Sequence, residues 1–162
     1  MGSAKPHKLL AVGARASDFR LPRLDGQETT LREITESGPA LLAFFKVSCP
    51  VCQMTLPYLD RIQSPGRLPV YAVSQNNAED TREFHRRFGV NLPTLLDSEK
   101  AGFPVSNTFG ISMVPTMFLV ETDGSISRVS EGWRKSDIEK LGALAGINPF
   151  QGGGSVPEWK AG

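Results

Sequence analysis

The chain has 162 residues, 40% hydrophobic and 22% charged, the proportions of an ordinary globular domain whose core needs no disulfide staples. With 18 basic residues against 17 acidic ones the formal net charge is +1, so composition supplies no long-range attraction to nucleic acid or an anionic membrane. No apolar run approaches the roughly 20 residues of a transmembrane helix, and the short apolar piece at 9–12 is too brief for a signal-peptide core.

In chain order, Met1-Gly2-Ser3 reads as an expression remnant and residues 1–13 as an extension ahead of the domain. Residues 16–24 and 27–31 flank Asp25-Gly26, a strong turn signal, and predict an N-terminal β-hairpin. Residues 31–37 predict a helical turn, closed by Gly38-Pro39. The stretch 39–47 (PALLAFFKV) is too continuously apolar for a half-exposed strand and predicts a central one. A helix over 49–64 follows, kinked by Pro57, which removes a main-chain hydrogen bond. Residues 68–74 predict a second buried strand. The helix over 77–88 is amphipathic, with Phe84 and Phe88 four apart on one face and Asn77 placed to cap.

A short strand over 92–97 and a short helix over 101–109 come next. Thr122-Asp123-Gly124-Ser125, between strands at 116–121 and 126–130, predicts a second hairpin. The last helix, 135–145, carries Ser136 as N-cap with Glu139 three residues on, a capping-box pattern, and stops at Gly146. From Pro149 the chain turns Gly- and Pro-rich, so residues 148–162 are expected as a flexible or surface-hugging tail. Parallel strand–helix–strand units followed by an antiparallel hairpin and a closing helix predict one α/β domain over 14–147. Its central mixed sheet is flanked by helices.

The chemistry concentrates at Cys49-Pro50-Val51-Cys52, which holds both cysteines of the chain. An apolar strand leads into the pair and a helix leads out. Unpaired N–H groups and the helix dipole favour a thiolate at that N-terminus, so Cys49 is the expected nucleophile. Cys52, one turn on, is placed to close a small disulfide with it. A zinc site would need two further ligands, and only His7 and His85 remain. Two inert buried cysteines are the other bland reading, against which stand the intervening proline and the strand-to-helix junction. Among other conspicuous residues, His85 reads as solvated, Trp133 as packing, and Phe44 and Phe45 as core, while Trp159 has no assigned role.

With these pieces placed, the chain resembles the thioredoxin superfamily. Within it, the resemblance is to the branch of TlpA/ResA-type thiol-disulfide oxidoreductases and redoxin (AhpC/TSA) proteins, and it covers about residues 14–147. Three motifs carry it: FFKVSCPVC at 44–52; Pro57, at the family's spacing for a helix-kinking proline; and Met113-Val114-Pro115-Thr116, matching the loop whose proline is cis and faces the disulfide. The N-terminal hairpin and the strand–helix insert over 92–109 point to this branch over thioredoxin itself. There are departures. Ser48 stands where a tryptophan is usual, Thr55 where ResA-like members carry glutamate, and Ala43 where thioredoxin has a buried aspartate. The family's proton-relaying carboxylates are thus missing, leaving water or Lys46 to take the proton of Cys52.

The resemblance implies a thioredoxin-like fold and thiol-disulfide exchange with partner proteins, Cys49 attacking and Cys52 resolving. Pro115 would present an apolar surface beside the sulfurs, and the Val114 backbone would pair with an extended substrate. Pro50, Val51 and Thr116 would complete the substrate-binding surface. The expected cofactor is none beyond the Cys49–Cys52 disulfide, with protein thiols, disulfides and a thiol electron donor as partners, in a monomer. Val51 adds no positive charge to the thiolate, which predicts a reducing couple and a reductase in redox homeostasis. The chain as it stands reads as cytoplasmic, or as bacterial periplasmic if a leader or anchor has been removed. One rival is a peroxiredoxin-like antioxidant peroxidase, whose P-x-x-x-T-x-x-C is broken here by Leu42 and Lys46. The other is a copper- or apoprotein-binding chaperone using both thiolates, with Met54 and Met113 the nearby candidates.

Overall fold

The computed structural model describes residues 8–162, so Met1-Gly2-Ser3 and His7 lie outside the described residues. The short pair β1 (Arg20–Pro22) and β2 (Glu28–Thr30) forms the first hairpin, with Leu21 opposite Thr29. Helix α1 (Leu31–Ile34) follows, capped by the Thr30 hydroxyl, which accepts from Glu33 N at 3.1 Å. The main sheet is five-stranded: β3 (Ala40–Phe45), β4 (Val70–Ser74), β5 (Thr94–Leu96), β6 (Thr116–Val120) and β7 (Ile126–Glu131), in the spatial order β5-β4-β3-β6-β7. Strands β3, β4 and β5 run parallel, while β6 and β7 are antiparallel to their neighbours. As its composition requires, β3 is central and every one of its residues is buried.

Successive residues of a strand face opposite sides of the sheet. Phe45 stacks at 4.9 Å on Phe84 of α3 (Ala78–Phe88), whereas Phe44 packs at 5.2 Å on Phe109 of α4 (Pro104–Phe109). Helices α3 and α4 therefore cover opposite faces. Right-handed crossovers put α2 (Pro50–Gln63) on the side of α3, where α5 (Lys135–Ala145) packs against α2. Phe44, Phe109 and Phe118 form the aromatic centre of the other layer, joined by Phe19.

Several details depart from expectation. The 101–109 helix is split into a 3-10 turn, Glu99–Ala101, and α4, because Gly102 and Phe103 both take left-handed backbone. The capping box of the last helix does not form. Arg134 is the N-cap and makes no side-chain cap bond, and Ser136 lies inside the first turn. The chain enters α5 from a short strand, β8 (Trp133–Arg134), so the first helical N–H, that of Lys135, is already donated to Glu158 O at 2.9 Å. His85 is not solvated: it is partly buried and hydrogen-bonded through Nε2 to the Thr94 hydroxyl at 2.9 Å, and burial lowers its pKa. Residues beyond Ala145 lie along the surface and end in a second short strand, β9 (Trp159–Lys160), paired with β8. Among the described residues no helix is long and apolar enough to cross a membrane.

Candidate active site

Strand β3 ends at Phe45 and a three-residue loop hands the chain to α2, whose N-cap is Cys49 and whose N1 is Pro50. Proline suits N1, where its missing N–H has no helical partner anyway. The Cys49 sulfur takes the capping role usually filled by an oxygen, accepting from Cys52 N at 3.2 Å. Two side chains that the sequence does not single out hold this loop. Asn76 Oδ1 accepts from Val47 N at 3.0 Å, and Gln53 Nε2 donates to Val47 O at 3.0 Å. Ordinary polar residues bracing a loop leave no signal in spacing or composition.

The two thiols, both free, are placed unequally. Cys49 is partly exposed and Cys52 wholly buried. The Cys49 pKa is lowered to about 6, first by the Cys52 thiol beside it, then by the N–H groups of Cys52 and Val51, with the Lys46 charge a small addition and burial opposing. Lys46 itself is exposed. Burial, and next the hydrogen bond to Cys49, push the Cys52 thiol far above its ordinary value. The helix terminus is thus joined by a thiol–thiolate contact that sequence spacing alone did not suggest. Among the described residues no carboxylate is among the groups that act on Cys52. Thr55 is buried with its hydroxyl given to Val51 O at 2.7 Å, Ala43 is buried in β3, and the buried carboxylate Asp97 is committed to Val105 N and Ser106.

Strand β6 begins at Thr116, the last residue of the loop at 113–116. The Val114-Pro115 bond is cis, and Val114 O lies 3.5 Å from the Cys49 thiol, so residues 65 positions apart meet at the Cys49 sulfur. Thr116, expected on the binding surface, is buried, and its hydroxyl donates to Met113 O at 2.8 Å, which braces the loop from inside. Pro115 is buried as well, whereas Pro50 is exposed and Val51 partly exposed beside Cys49. A cavity of about 190 Å³ is lined in part by Val114, Lys46, Gln75, Ser106 and Asn107. Among the described residues no cluster of three or more His, Cys, Asp or Glu is placed to hold a metal ion. Trp133 is packing: it is fully buried against Tyr58.

A model of the AhpC/TSA family matches residues 12–129. Thiol-disulfide oxidoreductase ResA of Halalkalibacterium halodurans is 30% identical over 128 residues, 76% of this chain and 70% of that protein. ResA of Geobacillus thermodenitrificans is 29% identical over 137 residues, 81% and 76% of the two chains. Among solved structures, the thioredoxin domain of a thiol-disulfide oxidoreductase from Bacteroides vulgatus superposes with a TM-score of 0.71 at 21% identity, covering 81% of this chain and 94% of that one. Peroxidoxin BcpB of Mycobacterium tuberculosis gives 0.70 at 20%, covering 86% and 97%. At these identities the structural likeness shows the fold.

Proposed function

Because the chain belongs to the AhpC/TSA family and is a thioredoxin-like thiol-disulfide oxidoreductase, we propose that it reduces disulfides of partner proteins through its Cys49–Cys52 pair. The observation that carries this is the unequal setting of the two sulfurs: one capping a helix at the surface, the other buried behind it. The Cys49 thiolate attacks one sulfur of the partner disulfide. That S–S bond breaks, a mixed disulfide forms, and the partner's second sulfur leaves as thiolate. Cys52 then attacks Cys49, giving its proton to the departing partner sulfur. The partner leaves as a dithiol, reduced by two electrons, and Cys49–Cys52 is left oxidised. A thiol donor must return the pair to its reduced form.

The Val114 backbone, with Pro50 and Val51, borders Cys49 and would receive an extended partner segment, Val114 itself being buried, Pro115 backing the loop and Thr116 holding it. A nucleophile near pH 6 lies between those of thioredoxin, about 7, and DsbA, about 3.5, and closer to the former, which supports a reducing couple. The peroxidase reading lacks its threonine: Lys46 is exposed at that place and Leu42 is buried within β3. The test is anaerobic equilibration in graded glutathione buffers, with alkylated thiols counted by mass. A reversible two-electron transition nearer −270 than −120 mV, on the scale from about −270 mV for thioredoxin to about −120 mV for DsbA, is expected. A transition at the oxidising end reverses the direction of the reaction, and no transition at all removes thiol exchange.

A further inference from the structure

The last residues of the chain run over the surface that the proposed exchange needs. Phe150 packs on Tyr58 and Trp133, at 5.2 and 6.2 Å between ring centroids, and Arg61 donates to Pro149 O at 2.9 Å, so the chain is anchored there. Beyond this anchor Gly152, Gly153 and Gly154 are exposed and all take positive φ; a run of this kind is a pliable tether. The chain then turns back on the body. Trp133 Nε1 donates to Pro157 O at 2.6 Å, and β9 pairs antiparallel with β8, Lys160 opposite Trp133. Gly132 permits the approach, since its φ is +70° and a Cβ there would stand 2.5 Å from Lys160 O. Gly162 lies on the Val114 carbonyl so closely that a Cβ would overlap it, with the Met113 methyl alongside. That carbonyl is the one the Cys49 thiol faces.

We propose that residues 157–162 are an internal strap lying in the groove that receives the partner's extended segment, so that a partner must displace it to reach Cys49. The proposal rests on the exchange reading above. The strap is held by a two-residue pairing, one indole bond, the Lys135 N–Glu158 O bond and an ion pair at 3.7 Å between partly buried Lys135 and exposed Glu158. Isolated two-stranded pairs are marginal, and segments with so few buried contacts open first. Trp159 is 54% exposed and anchors little. An extended partner segment offers the same backbone donors and acceptors, so it replaces the strap without losing hydrogen bonds. Its apparent affinity falls by the fraction of molecules in which the strap is closed. A small disulfide needs no groove and is indifferent to the strap.

Lys160→Pro removes a backbone donor from the strap and leaves the cysteines and the Val114 loop untouched. Reduction of an extended peptide disulfide should be about fivefold faster or more in this variant, while reduction of hydroxyethyl disulfide stays within about twofold of the parent. Equal peptide rates in parent and variant overturn the strap. If neither protein reduces either disulfide, the exchange reading fails, and hydrogen exchange then decides the strap separately. A redox-inert peptide carrying serine for cysteine should raise exchange at the amides of residues 158–162 of the parent by about threefold or more. Unchanged exchange there overturns the proposal.

Discussion

Cys49 and Cys52 share one turn of helix yet are driven in opposite directions, the first down to about 6 and the second upward by burial. Alkylation of the reduced protein by iodoacetamide should therefore rise with a midpoint near pH 6 and modify Cys49 alone below pH 9, read by mass. Modification of Cys52 in that range would contradict the burial argument. The same shift acts on stability. Between about 6 and the ordinary value of 9.0 the unfolded chain holds a proton that the folded one has released, so reduced protein gains stability as pH rises through this window. The gain is lost as pH falls through 6, and Cys49→Ser should flatten that slope in chemical denaturation. The roles of the two sulfurs separate in a second experiment. Cys52→Ser should accumulate a mixed disulfide with a partner on non-reducing gels and Cys49→Ser should not; the reverse pattern exchanges their roles.

At the scale of elements, each helix start has its own solution, and two of them make opposite predictions. Asn77 caps α3 by accepting from Asp80 N at 2.8 Å, so Asn77→Ala should cost about 1 kcal/mol in urea titration. Ser136 carries the sequence signature of a cap, but Arg134 holds that position. Ser136→Ala should accordingly stay within about 0.5 kcal/mol of the parent, as exposed substitutions do. Local signals located both elements. Which residue became the cap of α5 depended on the pairing of β8 with β9, a contact between residues about 25 apart that no window of sequence contains.

At the scale of the molecule, the sheet is clamped by aromatics drawn from distant segments, Phe118 packing on Phe44 at 5.8 Å and on Phe109 at 5.0 Å. Phe118 is fully buried, and Phe118→Ala should cost about 3–5 kcal/mol, a large part of the 5–15 kcal/mol typical of a domain. A urea midpoint shifted by less than half that amount would mean the cavity collapses around the loss.

Much of this architecture was legible from residues alone. Continuous apolar runs placed the buried strands and Asp-Gly placed the hairpins, because burial and turn chemistry act within a few residues. Cys49-Pro50-Val51-Cys52 stood out as the candidate site because the strand-to-helix junction is itself local. The family resemblance anticipated the 113–116 loop beside the cysteines; tertiary structure alone decided that Thr116 faces inward, that Gln53 and Asn76 hold the loop, and that the tail lies against the Val114 carbonyl. Each of these depends on which side of a packed sheet a side chain or segment reaches. That is settled by the whole fold closing at once, since neither periodicity nor spacing encodes contacts between residues far apart in the chain.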